Sequence, residues 1–182
     1  MGQEVTVDDF TFTVTKVSFM QNVPFEYIST DTTPILEFAT AKEGYTWLSY
    51  YVDIAFHGKK KVLARNAFLP SVQYGDNYDT FATNYFMEKC VDGKWDGLRS
   101  NFKEAPYYGV DDYNFMYDPY VDHTFSLHGA IEVPIKVVDD KASSLVLELY
   151  IPSEMDTIPD APSLSIATGT GKYARFDVRS VQ

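Results

Sequence analysis

From Trp47 to Phe56 the chain alternates without interruption, with Leu48, Tyr50, Val52, Ile54 and Phe56 on one phase and Trp47, Ser49, Tyr51 and Asp53 on the other. Side chains of a strand point to opposite faces in turn, whereas the apolar stripe of a helix recurs every three to four residues. The run therefore specifies a strand whose first phase is buried in a core. The same period opens the chain. Val5-Thr6-Val7 leads through a predicted turn at Asp8-Asp9 into Phe10-Thr11-Phe12-Thr13-Val14, a hairpin-like start. Beyond Lys16 the apolar phase moves to Val17 and Phe19, which one extra residue would produce, so a bulge is predicted near Thr15.

Further along, His57-Gly58-Lys59-Lys60 reads as a turn, and Val62 to Val72 as a return strand carrying Phe68 and Leu69, with Pro70 marking a bend or an edge. Phe81 to Cys90 is strand-like, and Asp92-Gly93 is a hairpin signal before Trp95. Ile131, Val133, Ile135 and Val137 predict a strand with Glu132, Pro134 and Lys136 toward solvent, Pro134 marking an edge or a bulge. After a turn at Asp139-Asp140-Lys141, Leu145, Leu147, Leu149 and Ile151 form another inward face, and Ala174, Phe176 and Val178 the last. Two stretches break the rhythm as long insertions. Residues 20–44 carry Pro24, Pro34 and Gly44 with one short strand near Ile35 to Phe38, and residues 99–124 are irregular and rich in tyrosine. Seven to nine short antiparallel strands without crossover helices predict an all-β sandwich, with residues 1–182 forming one domain.

The charge bounds the partners. A formal net charge of −11 and a sequence pI near 4.6 oppose contact with nucleic-acid phosphates or an anionic membrane. Cys90 is the single cysteine, so no intramolecular disulfide forms. No apolar run approaches the roughly 20 residues of a membrane-spanning helix. The first residues read as the start of a folded domain and not as an export signal, so any signal or lipid-anchor segment is expected upstream.

The order of features resembles an immunoglobulin-like family of unknown function found in secreted lipoproteins of Gram-positive bacteria, similar in shape to the mycobacterial immunoprotective extracellular antigens. The residues that carry the likeness are Val5-Thr6-Val7 through Val17, Glu43-Gly44-Tyr45-Thr46-Trp47-Leu48, Phe68-Leu69-Pro70, and Val133-Pro134 ahead of Leu145-Val146-Leu147. The pattern departs from the family at Phe56-His57-Gly58-Lys59, where an Asn-containing turn is usual, and residues 99–124 are not part of the common core. The resemblance implies an immunoglobulin-like sandwich, an extracellular location and anchoring to the cell surface through an upstream lipid-modified cysteine. It supplies no catalytic residues.

No nucleophile-turn, phosphate-loop, dinucleotide or paired-histidine metal motif is present, and the chain is expected to be no enzyme and to need no cofactor or metal. His57, His123 and His128 all fall where turns or loops are expected. Asp112 and Asn114 imitate the first ligands of a calcium loop, but Met116 stands where a third oxygen is required. Cys90 reads as a small strand-end hydrophobe, and Asp139-Asp140 as turn residues. The remaining candidates are aromatic. Trp47 and Tyr51 share the outward phase, and Tyr107, Tyr108, Tyr113 and Tyr117 supply a second layer. Either the 99–124 segment folds over that face and buries Trp47, or the rings stay partly exposed as a platform for a sugar, peptide or protein. The leading expectation is a non-enzymatic extracellular binding or interaction domain. The rivals are a carbohydrate-binding module using those aromatics, and a hydrolase in which Asp122 and His123 share a cleft with a third polar group.

Overall fold

The computed structural model describes residues 2–28, 34–58, 68–75, 79–81, 85–91, 94–100, 123–151 and 172–181. Among these the strands are β1 (Gln3–Val7), β2 (Phe10–Met20), β3 (Asn22–Ile28), β4 (Pro34–Thr40), β5 (Tyr45–Phe56), β6 (Pro70–Tyr74), β7 (Asp79–Phe81), β8 (Tyr85–Val91), β9 (Lys94–Ser100), β10 (His123–Pro134), β11 (Leu145–Ile151) and β12 (Lys172–Asp177). Two single-turn helices complete them, α1 (Lys136–Asp139) and α2 (Val178–Val181). A six-stranded sheet runs β1-β2-β5-β10-β8-β9, a four-stranded sheet runs β12-β11-β6-β7, and β3 pairs with β4 alone. Every pairing is antiparallel. The chain is an antiparallel β-sandwich, as its alternation predicts.

The two sheets share one core. Leu48, Tyr50, Val52, Ile54 and Phe56 of β5 face inward with Phe10, Phe12 and Val14 of β2 and Phe125, Leu127 and Ile131 of β10. They meet Leu145, Leu147, Leu149 and Ile151 of β11 with Ala174 and Phe176 of β12. Each large apolar side chain so buried contributes about 1.5–3 kcal/mol. Phe68 closes one end of this core. Its φ of +62° is a left-handed conformation costly for a bulky residue. Its N–H donates to Tyr150 O at 2.6 Å, and its ring sits among Phe10, Phe12 and Phe125 at centroid separations of 5.5, 5.7 and 6.0 Å.

The predicted bulge is present. Val14 pairs with Val52 and Lys16 with Tyr51, so Thr15 is the extra residue, and its hydroxyl donates to Tyr51 O at 3.3 Å. The hairpin of β1 and β2 turns at Asp8, whose φ of +51° an aspartate tolerates. β8 and β9 pair as a hairpin with Val91 opposite Lys94, while the expected Asp92-Gly93 turn lies outside the described residues.

Other elements differ from the reading of the sequence. Residues 20–44 hold two strands, not one, and Pro24 and Pro34 are accommodated because, among the described residues, this hairpin forms no ladder with a third strand. The Phe81–Cys90 run is divided between the sheets: β7 pairs with β6, and β8 with β10. Pro70 is the first residue of an inner strand, where its missing N–H breaks no ladder. Pro134 ends the inner strand β10, after which Ile135 is exposed and Val137 reaches the core from α1. Glu132 is buried instead of facing solvent. β10 begins at His123, well before regularity was expected, and the described residues hold twelve strands against the seven to nine expected. Residues 101–122, most of the second insertion, lie outside the described residues.

Candidate functional site

The sheet face away from the core holds the odd-numbered side chains of β5, and it divides into two halves. Near the start of β5, Trp47 is 2% exposed and packs with Val23, Ala39 and Ala41 of the β3–β4 hairpin and with Ala130 of β10. Glu132 anchors this cover. Its carboxylate accepts the Lys42 backbone N–H at 2.9 Å and pairs with Lys42 Nζ at 3.2 Å, while that ammonium lies 3.7 Å from the Tyr45 ring centre. Gln21 Nε2 also donates to Ala41 O at 2.7 Å. Trp47 is therefore an interior residue and not part of an open platform, because an inserted hairpin folds over it.

The other half of the face is polar. Antiparallel register sets Lys16, Tyr51, His128 and Glu88 side by side across β2, β5, β10 and β8. Ser18 and Ser49 form the adjacent row, paired directly across β2 and β5. Glu88 Oε1 lies 2.6 Å from His128 Nδ1, and His128 Nε2 lies 3.1 Å from Ser49 Oγ. All three side chains are buried: Ser49 is 1% exposed, His128 2% and Glu88 4%. A carboxylate can only accept, so Nδ1–H donates to Glu88; in the neutral imidazole Nε2 then accepts the Ser49 hydroxyl proton. The Tyr51 ring stacks on the imidazole at 4.2 Å and 10°, fixing its plane, and Lys16 Nζ stands 5.7 Å from the same ring. Burial, then the negative charge of Glu88, raises the Tyr51 phenol above its ordinary range. Ser18 Oγ is buried without a hydrogen-bond partner among the described residues. One row further, Ser126 Oγ donates to Asp53 Oδ1 at 2.6 Å, with Cys90 in register beside Ser126.

Hydroxyl, imidazole and carboxylate stand in the order of a nucleophile, a general base and the group that orients it. Ser49 nevertheless sits in mid-strand. With β2 and β10 paired along both sides of β5, the backbone N–H groups around it are committed to the ladders.

Of the residues singled out in the sequence, Tyr51 belongs to this face and Trp47 to the apolar half beside it. Tyr107, Tyr108, Tyr113 and Tyr117 lie outside the described residues, as does Asp122. His123 opens β10, opposite Phe56, so it is a strand residue and not a loop residue. His57 follows β5 and shares a hydrogen bond of 3.1 Å with Thr11 Oγ1. Among the described residues no group of three or more His, Cys, Asp or Glu is placed to hold a metal ion. Also among them, no helix is long and apolar enough to cross a membrane. The sequence reading placed His128 in a loop. The signal for it was the alternation of Phe125, Leu127 and Ile131 with Ser126, His128 and Ala130, interrupted at the core position by Gly129. Ser49, Glu88 and His128 are 39 and 40 positions apart, a spacing no local motif describes.

Comparison with family models finds no match, and comparison with curated proteins finds none. Among solved structures the chain is similar to an uncharacterized β-sandwich protein from Clostridium difficile 630. The identity is 16%, with 82% of this chain and 83% of that chain covered and a TM-score of 0.49. The assignment of the sandwich rests on the strand pairing described above.

Proposed function

We propose that this chain is a non-enzymatic binding domain working outside the cell, with the polar half of the outer sheet face, around Tyr51, as its ligand face. The observation that carries this reading is the row Lys16–Tyr51–His128–Glu88. It offers a ligand an exposed cation and a half-buried aromatic ring, with the buried His128 imidazole stacked behind that ring and held by Glu88. The ladder-bound N–H groups around Ser49 favour recognition over turnover, since fast acyl transfer relies on donors aimed at the developing oxyanion.

A carbohydrate-binding module loses one of its two described aromatics with Trp47 buried, and Tyr51 is flanked by His128 and Lys16. A peptide or protein segment carrying polar groups suits this face better than a stacked sugar ring. The acidic charge argues against nucleic acid. The extracellular, surface-anchored setting is supported by the resemblance to secreted lipoproteins, with any membrane contact made through an upstream lipid anchor. Nuclear magnetic resonance titration with extended peptides and with glycans tests the ligand face. Shifts centred on Lys16, Ser18 and Tyr51, lost in Tyr51→Ala, are expected, whereas a ligand that moves only distant residues would refute it. Surface protease treatment of cells producing the full-length protein tests the location.

A further inference from the structure

We propose that Ser49 is a latent nucleophile, so that the ligand face captures an activated acyl group, such as an ester or thioester carbonyl, as a covalent adduct on Ser49. This rests on the ligand face proposed above. Three observations converge on it. The 2.6 and 3.1 Å contacts hold His128 as a base toward the Ser49 hydroxyl. Tyr51 holds the imidazole plane by stacking. Ser18, directly opposite Ser49, keeps a buried hydroxyl with no partner among the described residues.

In the reaction, His128 Nε2 takes the Ser49 proton as Oγ attacks the carbonyl carbon. The tetrahedral oxyanion accepts a hydrogen bond from Ser18 Oγ–H. Collapse breaks the bond to the leaving alcohol or thiol, which departs with the proton from His128. Deacylation would require a water to deliver its proton to His128 and attack the same carbon, releasing the acid and restoring Ser49. One feature makes that second half slow: the oxyanion has one neutral hydroxyl in place of paired backbone donors, which suffices for an activated ester or thioester but not for the less reactive seryl ester. Ser49 is itself covered, and the acyl group enters over its neighbours on the face, Lys16, which is exposed, and Ser18 and Tyr51, which are half-buried. The product is thus a persistent acyl adduct and not a turnover cycle.

The test is incubation of the full chain with p-nitrophenyl acetate, and separately with a fluorophosphonate. The expected result is a burst of one equivalent of p-nitrophenol per chain without sustained release, with the acetyl group on the peptide containing Ser49. Ser49→Ala abolishes the burst, Ser49→Cys retains it, and His128→Gln slows it by roughly 100-fold or more. Ser18→Ala slows it by up to roughly 100-fold. An adduct on a surface lysine, an equal burst in a folded Ser49→Ala chain, or no adduct on the folded wild-type chain overturns the proposal. Peptide-induced shifts at Tyr51 that survive in a wild-type chain without acylation would overturn the nucleophile alone. Their absence would overturn the ligand face itself.

Discussion

The Tyr50 ring of β5 lies across Gly129, its direct partner on β10, so closely that a methyl group at position 129 would come within 2.2 Å of the Tyr50 hydroxyl oxygen. The aromatic ring occupies the space that a side chain on β10 would fill. Gly129→Ala should therefore destabilise the domain by about 1–3 kcal/mol, although alanine is the better strand residue elsewhere. Denaturant midpoints check this, and Tyr50→Val in the same chain should recover much of the loss. Additive effects of the two substitutions would contradict the contact.

The Tyr50 hydroxyl is buried without a hydrogen-bond partner among the described residues. Removing an unsatisfied buried group relieves its desolvation, so Tyr50→Phe should raise stability by about 1 kcal/mol. Burial, then the neighbouring Tyr85, pushes the phenol well above its ordinary range. A raised folded-state value stabilises below the unfolded value of about 10, and that contribution is lost as pH rises beyond it. Tyr50→Phe should accordingly flatten the alkaline fall in stability, measured by urea midpoints between neutral and strongly alkaline pH.

Glu132 joins the β3–β4 hairpin to the sheet through both the backbone and the side chain of Lys42. Lys42 is more than half exposed, so its ion pair adds little, and the main contribution comes from the buried bond to its N–H. Glu132→Ala should cost about 1–3 kcal/mol and loosen the hairpin over Trp47. A red shift of tryptophan emission before global unfolding would report it, and unchanged emission through the transition would contradict it.

Asp140 accepts from the Ser143 hydroxyl at 2.5 Å, the Tyr74 hydroxyl at 2.6 Å and the N–H groups of Ser143 and Ala142. These bonds, the Ser143 and Tyr74 hydroxyls foremost, hold its carboxyl well below the usual range. A depressed folded-state value stabilises above the unfolded value near ~3.9, and this is lost as pH falls toward the folded one. Asp140→Asn should therefore be less stable at neutral pH and show a shallower acid decline, measured by urea midpoints from about pH 2 to 7.

Much of this fold is legible in the sequence because alternation and turn chemistry are local. The even-numbered residues of β5, the odd-numbered residues of β11 and the extra residue near Thr15 follow from spacing alone. What is not legible depends on the partner a strand finds. Nothing local distinguishes a run that stays in one sheet from one divided between two, as Phe81 to Cys90 is. Trp47 reads as outward because its strand has an outer face, but a hairpin inserted between β2 and β5 returns to cover it. The Ser49–His128–Glu88 contact arises only when β5, β10 and β8 lie side by side, with Gly129 masking the strand that brings His128 to the centre.

Thr15 sets the identity of the outer face. Were Thr15 drawn into the ladder opposite Tyr51, its successors would slip by one position against β5, setting Val17 beside Ser49 where Ser18 now stands and sending Lys16 toward the interior. The bulge cancels that slip, so the serine pair and its flanking cation share the outer face only because one peptide unit is left outside the ladder.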